Sequence, residues 1–130
     1  MFDTGTTSRW ADTIPTSGQT RIVISLTDQM GYLYRGEEVV GVTTVSSGKT
    51  DHETPTGVFP IIGKEKVHHS NTYENAPMPF MQRFNNYGVA LHGGSNPGYP
   101  ASHGCIRLPM KFAARLFELT QTGSPVIIEA

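Results

Sequence analysis

Leu91-His92-Gly93-Gly94, the insert Ser95-Asn96-Pro97-Gly98-Tyr99-Pro100, and Ala101-Ser102-His103-Gly104-Cys105-Ile106-Arg107-Leu108 form one stretch that decides how the chain is read. It holds the only cysteine of the 130 residues and two of the five histidines. A lone cysteine has no intramolecular disulfide partner, so Cys105 is either core filler or a reactive thiol. Gly104 lets backbone approach a substrate closely, and Arg107 can hold an anionic group beside the sulfur. Both neighbours favour the reactive thiol.

A thiol attacks as thiolate, and a free pKa of about 8.5 leaves little of that form at neutral pH. A neighbouring imidazole corrects this by taking the proton. His103 stands two positions from Cys105, on the same side of an extended backbone, where direct hydrogen bonding is often out of reach. His92 closes a different predicted strand and can face Cys105 across a chain reversal, so it is the preferred base. No acidic residue lies nearby in sequence to fix its tautomer, which leaves a main-chain carbonyl, that of Gly93, as orienter. The N–H groups of Gly104 and Cys105 are the expected oxyanion donors. Arg107 alternates onto the Cys105 face, where it can hold a substrate carboxylate. Together these features predict an unusually nucleophilic Cys105. The rival chemistry is a three-ligand zinc site of His92, His103 and Cys105. The chain has no paired-cysteine or H-E-x-x-H pattern, so no metal is assigned. His52, His68 and His69 read as surface or loop histidines.

Outward from this stretch the pattern is mostly β. Strands are predicted over 21–26, 32–34, 39–47, 57–62, 80–84, 87–92 and 125–128, from β-branched runs separated by turn residues. Pro60 places its strand at an edge or bulge. Residues 64–79 read as irregular and polar. One helix is predicted, with Pro109 at its first position, Phe112, Leu116 and Leu119 on its apolar face, and Gly123 as a left-handed cap. Residues 1–19 read as a flexible arm, pinned at most by Trp10, and 20–130 as one domain. The inventory predicts a β-sandwich or barrel of mixed sheets with one helix in its C-terminal region.

The formal net charge of -1 leaves no basic surplus for nucleic acid, and no apolar run approaches the ~20 residues of a membrane span. Met1-Phe2-Asp3-Thr4-Gly5 lacks the basic start and apolar stretch of a signal peptide. A cytosolic protein, a mature chain freed of its leader, or export by another route all fit.

At these residues the chain resembles the L,D-transpeptidases of the YkuD family. The resemblance rests on His92-Gly93 and on Ser102-His103-Gly104-Cys105-Ile106-Arg107. It extends to Thr54-Pro55-Thr56-Gly57-Val58-Phe59, to Val45-Ser46-Ser47-Gly48-Lys49 and to Gly123-Ser124-Pro125-Val126, covering the chain from about residue 20 to its end. It implies a YkuD-like β-sandwich with a cysteine nucleophile and no cofactor. Cys105 attacks, His92 accepts and returns the proton, Gly93 orients it, and His103 and Gly104 shape the oxyanion site. Ser102, Arg107 and Tyr99 are assigned to substrate binding. The implied donor is a peptidoglycan stem tetrapeptide, cleaved between meso-diaminopimelate and D-alanine, and the implied acceptor is the side-chain amine of a second stem, giving a 3→3 cross-link. Carbapenem-type β-lactams are the implied covalent inhibitors, and the cell envelope or periplasm the implied location. The insert from Ser95 to Pro100 is shorter than in many relatives, which bears on acceptor choice. Alternatives are an L,D-carboxypeptidase or endopeptidase that hydrolyses the same acyl-enzyme, a non-catalytic wall-binding module, and an exported toxin attacking a competitor's wall.

Overall fold

Strands with alternating burial build the larger of two sheets in the computed structural model, which describes residues 8–69, 77–97 and 99–130. β1 (Ser8–Trp10), β2 (Thr20–Ser25), β3 (Met30–Arg35), β4 (Glu38–Thr44), β5 (Gly57–Pro60) and β10 (Pro125–Glu129) lie in the order β1-β4-β3-β2-β10-β5. β2, β3 and β4 form an antiparallel meander, while β10 returns parallel to β2. Ile22 and Ile24 of β2, Leu33 of β3 and Val126 and Ile128 of β10 point inward at every second position, as a half-buried sheet requires. β5 pairs with β10 alone, so Pro60 sits on an edge strand, where its missing N–H interrupts no ladder.

The smaller sheet comprises β6 (Gly63–Glu65), β7 (Met81–Arg83), β8 (Ala90–Gly93) and β9 (Ile106–Leu108), in that order. β8 and β9 run parallel, with His92 beside Arg107 and Leu91 beside Ile106. One face of this sheet joins the core. Leu91, Ile106 and Leu108 pack with Ile24, Leu33 and Val45 of the larger sheet and its margin, and with Phe112, Ala113 and Leu116 of α1 (Met110–Leu119). Lys64 reaches from β6 to the C-terminal end of α1, donating to the carbonyl oxygens of Phe117 and Thr120. It supplies the cation that the helix's own last turn lacks.

The architecture is the expected one, mostly strands in two mixed sheets with a single helix. Several boundaries differ. Ser8–Trp10 of the expected arm is an edge strand, paired with β4. Trp10 stacks on Phe112 at 4.4 Å between ring centroids, and Gly41 leaves the space its ring fills. Burial of that one aromatic outweighs the arm's polar composition. Residues 1–7 of the expected arm lie outside the described residues. Pro109 precedes the helix as N-cap rather than opening it, and the helix ends at Thr120. Gly123, at φ 98°, serves the turn into β10 instead, its N–H donating to the Ile61 carbonyl. The run 87–92 is strand only from Ala90, because Asn85 Oδ1 accepts from the N–H groups of Tyr87 and Val89 and folds those residues into a turn. β6 and β9 were not expected. Each is three residues long, too short for periodicity to register. Of the irregular stretch 64–79, residues 70–76 lie outside the described residues.

Candidate active site

His92 is placed by packing on both sides of it. Its side chain is 7% exposed, and the strand it ends lies against α1 so closely that a Cβ on Gly93 would stand 2.7 Å from Met110 Sδ. A larger residue there would have to displace the Met110 side chain. His92 Nδ1 lies 2.8 Å from the Gly93 carbonyl oxygen. A carbonyl only accepts, so Nδ1 carries the proton and Nε2 keeps its lone pair. Burial holds the imidazole pKa below its ordinary value. The Gly93 hydrogen bond opposes that shift, and the charges of Arg107 and His68 add to it. The resting group is therefore a neutral imidazole with Nε2 as acceptor.

Cys105 is placed by a bend. Gly104 has φ 124°, a conformation costly for any residue with a Cβ. The bend is held from three sides. Ser102 Oγ accepts from the Gly104 N–H at 3.1 Å and donates to the Cys105 carbonyl at 2.5 Å. Thr54 Oγ1 donates to the Gly104 carbonyl at 2.7 Å and accepts from the Gly48 N–H at 2.9 Å. The segment Ser46-Ser47-Gly48-Lys49 runs alongside, exchanging main-chain bonds with Ala101, Ser102 and Arg107. A Cβ on Gly48 would fall 1.8 Å from the His52 carbonyl oxygen, so this close path also needs glycine. The Cys105 loop thus borrows its shape from residues more than forty positions earlier.

The thiol is half-buried and reaches the Gly88 carbonyl at 3.7 Å. Burial pushes its pKa up. The Ala90 main chain and the Arg107 charge act in the opposite direction without overcoming burial. Burial thus works against the ready thiolate that the sequence reading expects. The desolvated surroundings of the sulfur outweigh its one nearby cation.

Cys105, His92, His103, Ser102 and Arg107 all line one cavity of about 650 Å³. The expected alternation holds in β9, where Ile106 and Leu108 enter the core and half-buried Arg107 faces the cavity. Other expectations are corrected. The Gly104 N–H is already engaged by Ser102, so of the two proposed oxyanion donors only Cys105 N–H is left by this bond. Ser102, 2% exposed, commits its hydroxyl to the loop, donating to the Cys105 carbonyl and accepting from the Gly104 N–H. His103 is exposed, and its ring meets that of His52 edge-on at 5.0 Å, because the chain at 103–105 bends instead of extending. Its pKa is lowered by partial desolvation and by the charges of Lys49, His52 and Arg107. The Tyr99 ring lies outside the cavity lining, and what Tyr99 contributes is its carbonyl, which accepts from Ser46 Oγ at 2.8 Å. Gly98 beside it lies outside the described residues. Among the described residues no three His, Cys, Asp or Glu side chains group as metal ligands.

The cavity also contains residues that sequence reasoning passed over. His68, read as a surface or loop histidine, stands in a loop that lines it and pairs with Glu65 at 2.6 Å. Met78, Met81, Arg83, Tyr87 and Gly88 line it too. Thr54 was read only as part of a turn, although a threonine before a Pro-x-Gly turn is a fair signal for a side chain that bonds backbone.

No curated protein sequence is significantly similar to the chain. Solved structures are. An L,D-transpeptidase from Xylanimonas cellulosilytica is similar with 28% identity and a TM-score of 0.79, over 92% of this chain and 65% of that one. A cysteine-to-serine mutant of an L,D-transpeptidase from Enterococcus faecium is similar with 26% identity and a TM-score of 0.75, over 87% of this chain and 50% of that one. The LD transpeptidase LdtMt1 in complex with imipenem has 26% identity and a TM-score of 0.76, over 85% of this chain and 58% of that one. The chain thus spans less than two thirds of the length of each. The L,D-transpeptidase catalytic domain model, YkuD, matches residues 19–128. With the motif, the two mixed sheets and that match in agreement, the chain belongs to the YkuD family of L,D-transpeptidase catalytic domains.

Proposed function

We propose that the protein is a cysteine acyltransferase acting on peptidoglycan stem peptides in the cell envelope. The observation that carries this reading is the convergence of Cys105, Arg107 and a tautomer-locked His92 on one cavity.

The stem peptide enters with the carbonyl between meso-diaminopimelate and D-alanine above Cys105. As Sγ bonds to that carbon, the thiol proton passes to Nε2 of His92, which the Gly93 contact leaves open. Because both groups are neutral at rest, the transfer accompanies attack instead of preceding it, and the ion pair forms only where it is used. Cys105 N–H is the main-chain donor assigned to the oxyanion. Arg107 holds the D-alanine carboxylate. His92 then returns its proton to the departing amine as the carbon–nitrogen bond breaks. The amine of a second stem attacks the thioester, gives a proton to His92, and the sulfur leaves and is reprotonated. The product is a 3→3 cross-link. Imipenem bound to a structural relative supports a parallel proposal, that carbapenems acylate Cys105.

Incubation with disaccharide tetrapeptides, read by mass spectrometry, tests the assignment. Cross-linked dimers that have lost one D-alanine are expected. Tripeptide without dimer would replace transfer by hydrolysis. An unchanged substrate beside a thiol that still alkylates would leave a wall-binding module as the reading.

A further inference from the structure

We infer that Arg83 is a specificity-determining residue that binds a remote carboxylate of the donor stem, so that amidation of that carboxylate impairs turnover. The inference rests on the stem-peptide reading and deepens it.

The register of the small sheet sets out the cavity floor. Arg83 of β7 lies between Gly63 of β6 and Ala90 of β8. One step before the Leu91–Ile106 pair, the parallel ladder brings Cys105 beside Ala90. Arg83 therefore stands two strand spacings from Cys105, about 10 Å along the sheet. Arg107 is two residues from Cys105 and borders His92 directly. The carboxylate of the departing D-alanine is adjacent to the scissile bond and falls to Arg107. A group bound by Arg83 must lie farther along the peptide.

The side chain of Arg83 is exposed to the cavity. The absence of a Cβ on Gly63 gives it room, with the guanidinium nitrogen 3.3 Å from where that atom would be. Among the described residues no carboxylate lies within ion-pair distance, and Glu65, the acid on β6, is paired with His68. A separate apolar cluster of Met78, Met81 and Ala90 adjoins both: Ala90 stands between Arg83 and Cys105 in the ladder, Met81 precedes Arg83 by two residues on β7, and Cys105 packs against the cluster. An aliphatic segment on the methionines with an anionic end on the guanidinium fits this layout. The diaminopimelate side chain has that form, spanning about 7 Å from the scissile carbonyl to its distal carboxylate. The free carboxylate of the stem glutamate is the other source of the same chemistry. A guanidinium binds either as a bidentate pair and loses that pair on amidation.

The test compares three donor tetrapeptides: both carboxylates free, the diaminopimelate carboxylate amidated, and the glutamate carboxylate amidated. Wild-type protein should lose about tenfold in kcat/KM on one amidated donor and little on the other, which names the source. R83Q should show that same loss on the free donor and no further loss on the amidated one, with R83K intermediate. Alkylation of Cys105 by neutral iodoacetamide should be unchanged in R83Q. Equal turnover of all three donors by wild type, or an R83Q loss that persists undiminished on both amidated donors, would overturn the role of Arg83 alone. The wild-type comparison holds even where a variant folds poorly. Failure of wild type on every donor, with a thiol that still alkylates, would overturn the stem-peptide reading and this inference with it.

Discussion

The two sheets are built on different terms. In the six-stranded sheet, β2 and β3 are six residues long and β4 seven, and burial alternates along β2 and β3. In the four-stranded sheet no strand exceeds four residues, and β8 is buried along its whole length. The larger sheet is held by its own side chains in one shared core. The smaller one is held largely by what surrounds it, by α1 on one face and by the 46–49 segment at its β9 edge. Its other face is thereby left for the cavity. Stability and chemistry are thus carried by different parts of the fold, and substitutions should separate them.

The largest effect should fall on the small sheet's margin. Cys105→Ala should lower acyl transfer by more than about a thousandfold, measured by dimer formation, with the thermal midpoint essentially unchanged. His92→Gln should cost about 10²–10⁴-fold in kcat, because it removes the acceptor of the thiol proton. Retained turnover in either variant would break the assignment. In the larger sheet the balance should invert. Leu33→Ala, at a site 1% exposed, should destabilise the protein by about 2–5 kcal/mol in denaturant unfolding while the folded fraction keeps normal turnover. Thr54→Val bridges the two regions. It strips partners from the Gly48 N–H and the Gly104 carbonyl, so about 1–3 kcal/mol of stability and part of the activity should fall together.

The smallest effect concerns pH. The Cys105 pKa is raised by burial, so its stability contribution is present below the ordinary thiol range and is lost as pH climbs through the folded value. The His92 pKa is lowered, so its contribution is present above the ordinary imidazole range and is lost as pH falls through the folded value. Wild type should therefore lose more stability than His92→Gln on acidification through the histidine range. Alkylation of Cys105 should rise at higher pH than for a free cysteine. Alkylation already complete at mildly acidic pH would show that the imidazole ionises the thiol without substrate.

What was legible in the sequence follows the same division. Ile22 and Ile24, or Val126 and Ile128, announce their strands because a half-buried sheet imposes a period of two on the side chains. The His-Gly and Ser-His-Gly-Cys stretches were legible because few structural needs place a glycine, a histidine and a lone cysteine together. Even the carbonyl partner of His92 was anticipated, since a residue is always close to its own neighbour. Where the sequence put His103 on the Cys105 side of an extended backbone, the bend at 103–105 leaves His103 exposed at the cavity with its ring against His52, and Tyr99, assigned to substrate binding, lies outside the lining.

The residue types that carry the chemistry, and the alternation that sends Ile106 inward and Arg107 outward, were determined by the sequence alone, because both depend on local covalent geometry. Tertiary structure decided the tautomer-fixing burial of His92, the commitment of the Gly104 N–H to Ser102, the upward push on the Cys105 thiol, and the presence of Arg83 and Met78 in the same cavity. Desolvation and contact between distant segments are properties of the assembled chain, since each depends on which strand lies beside which.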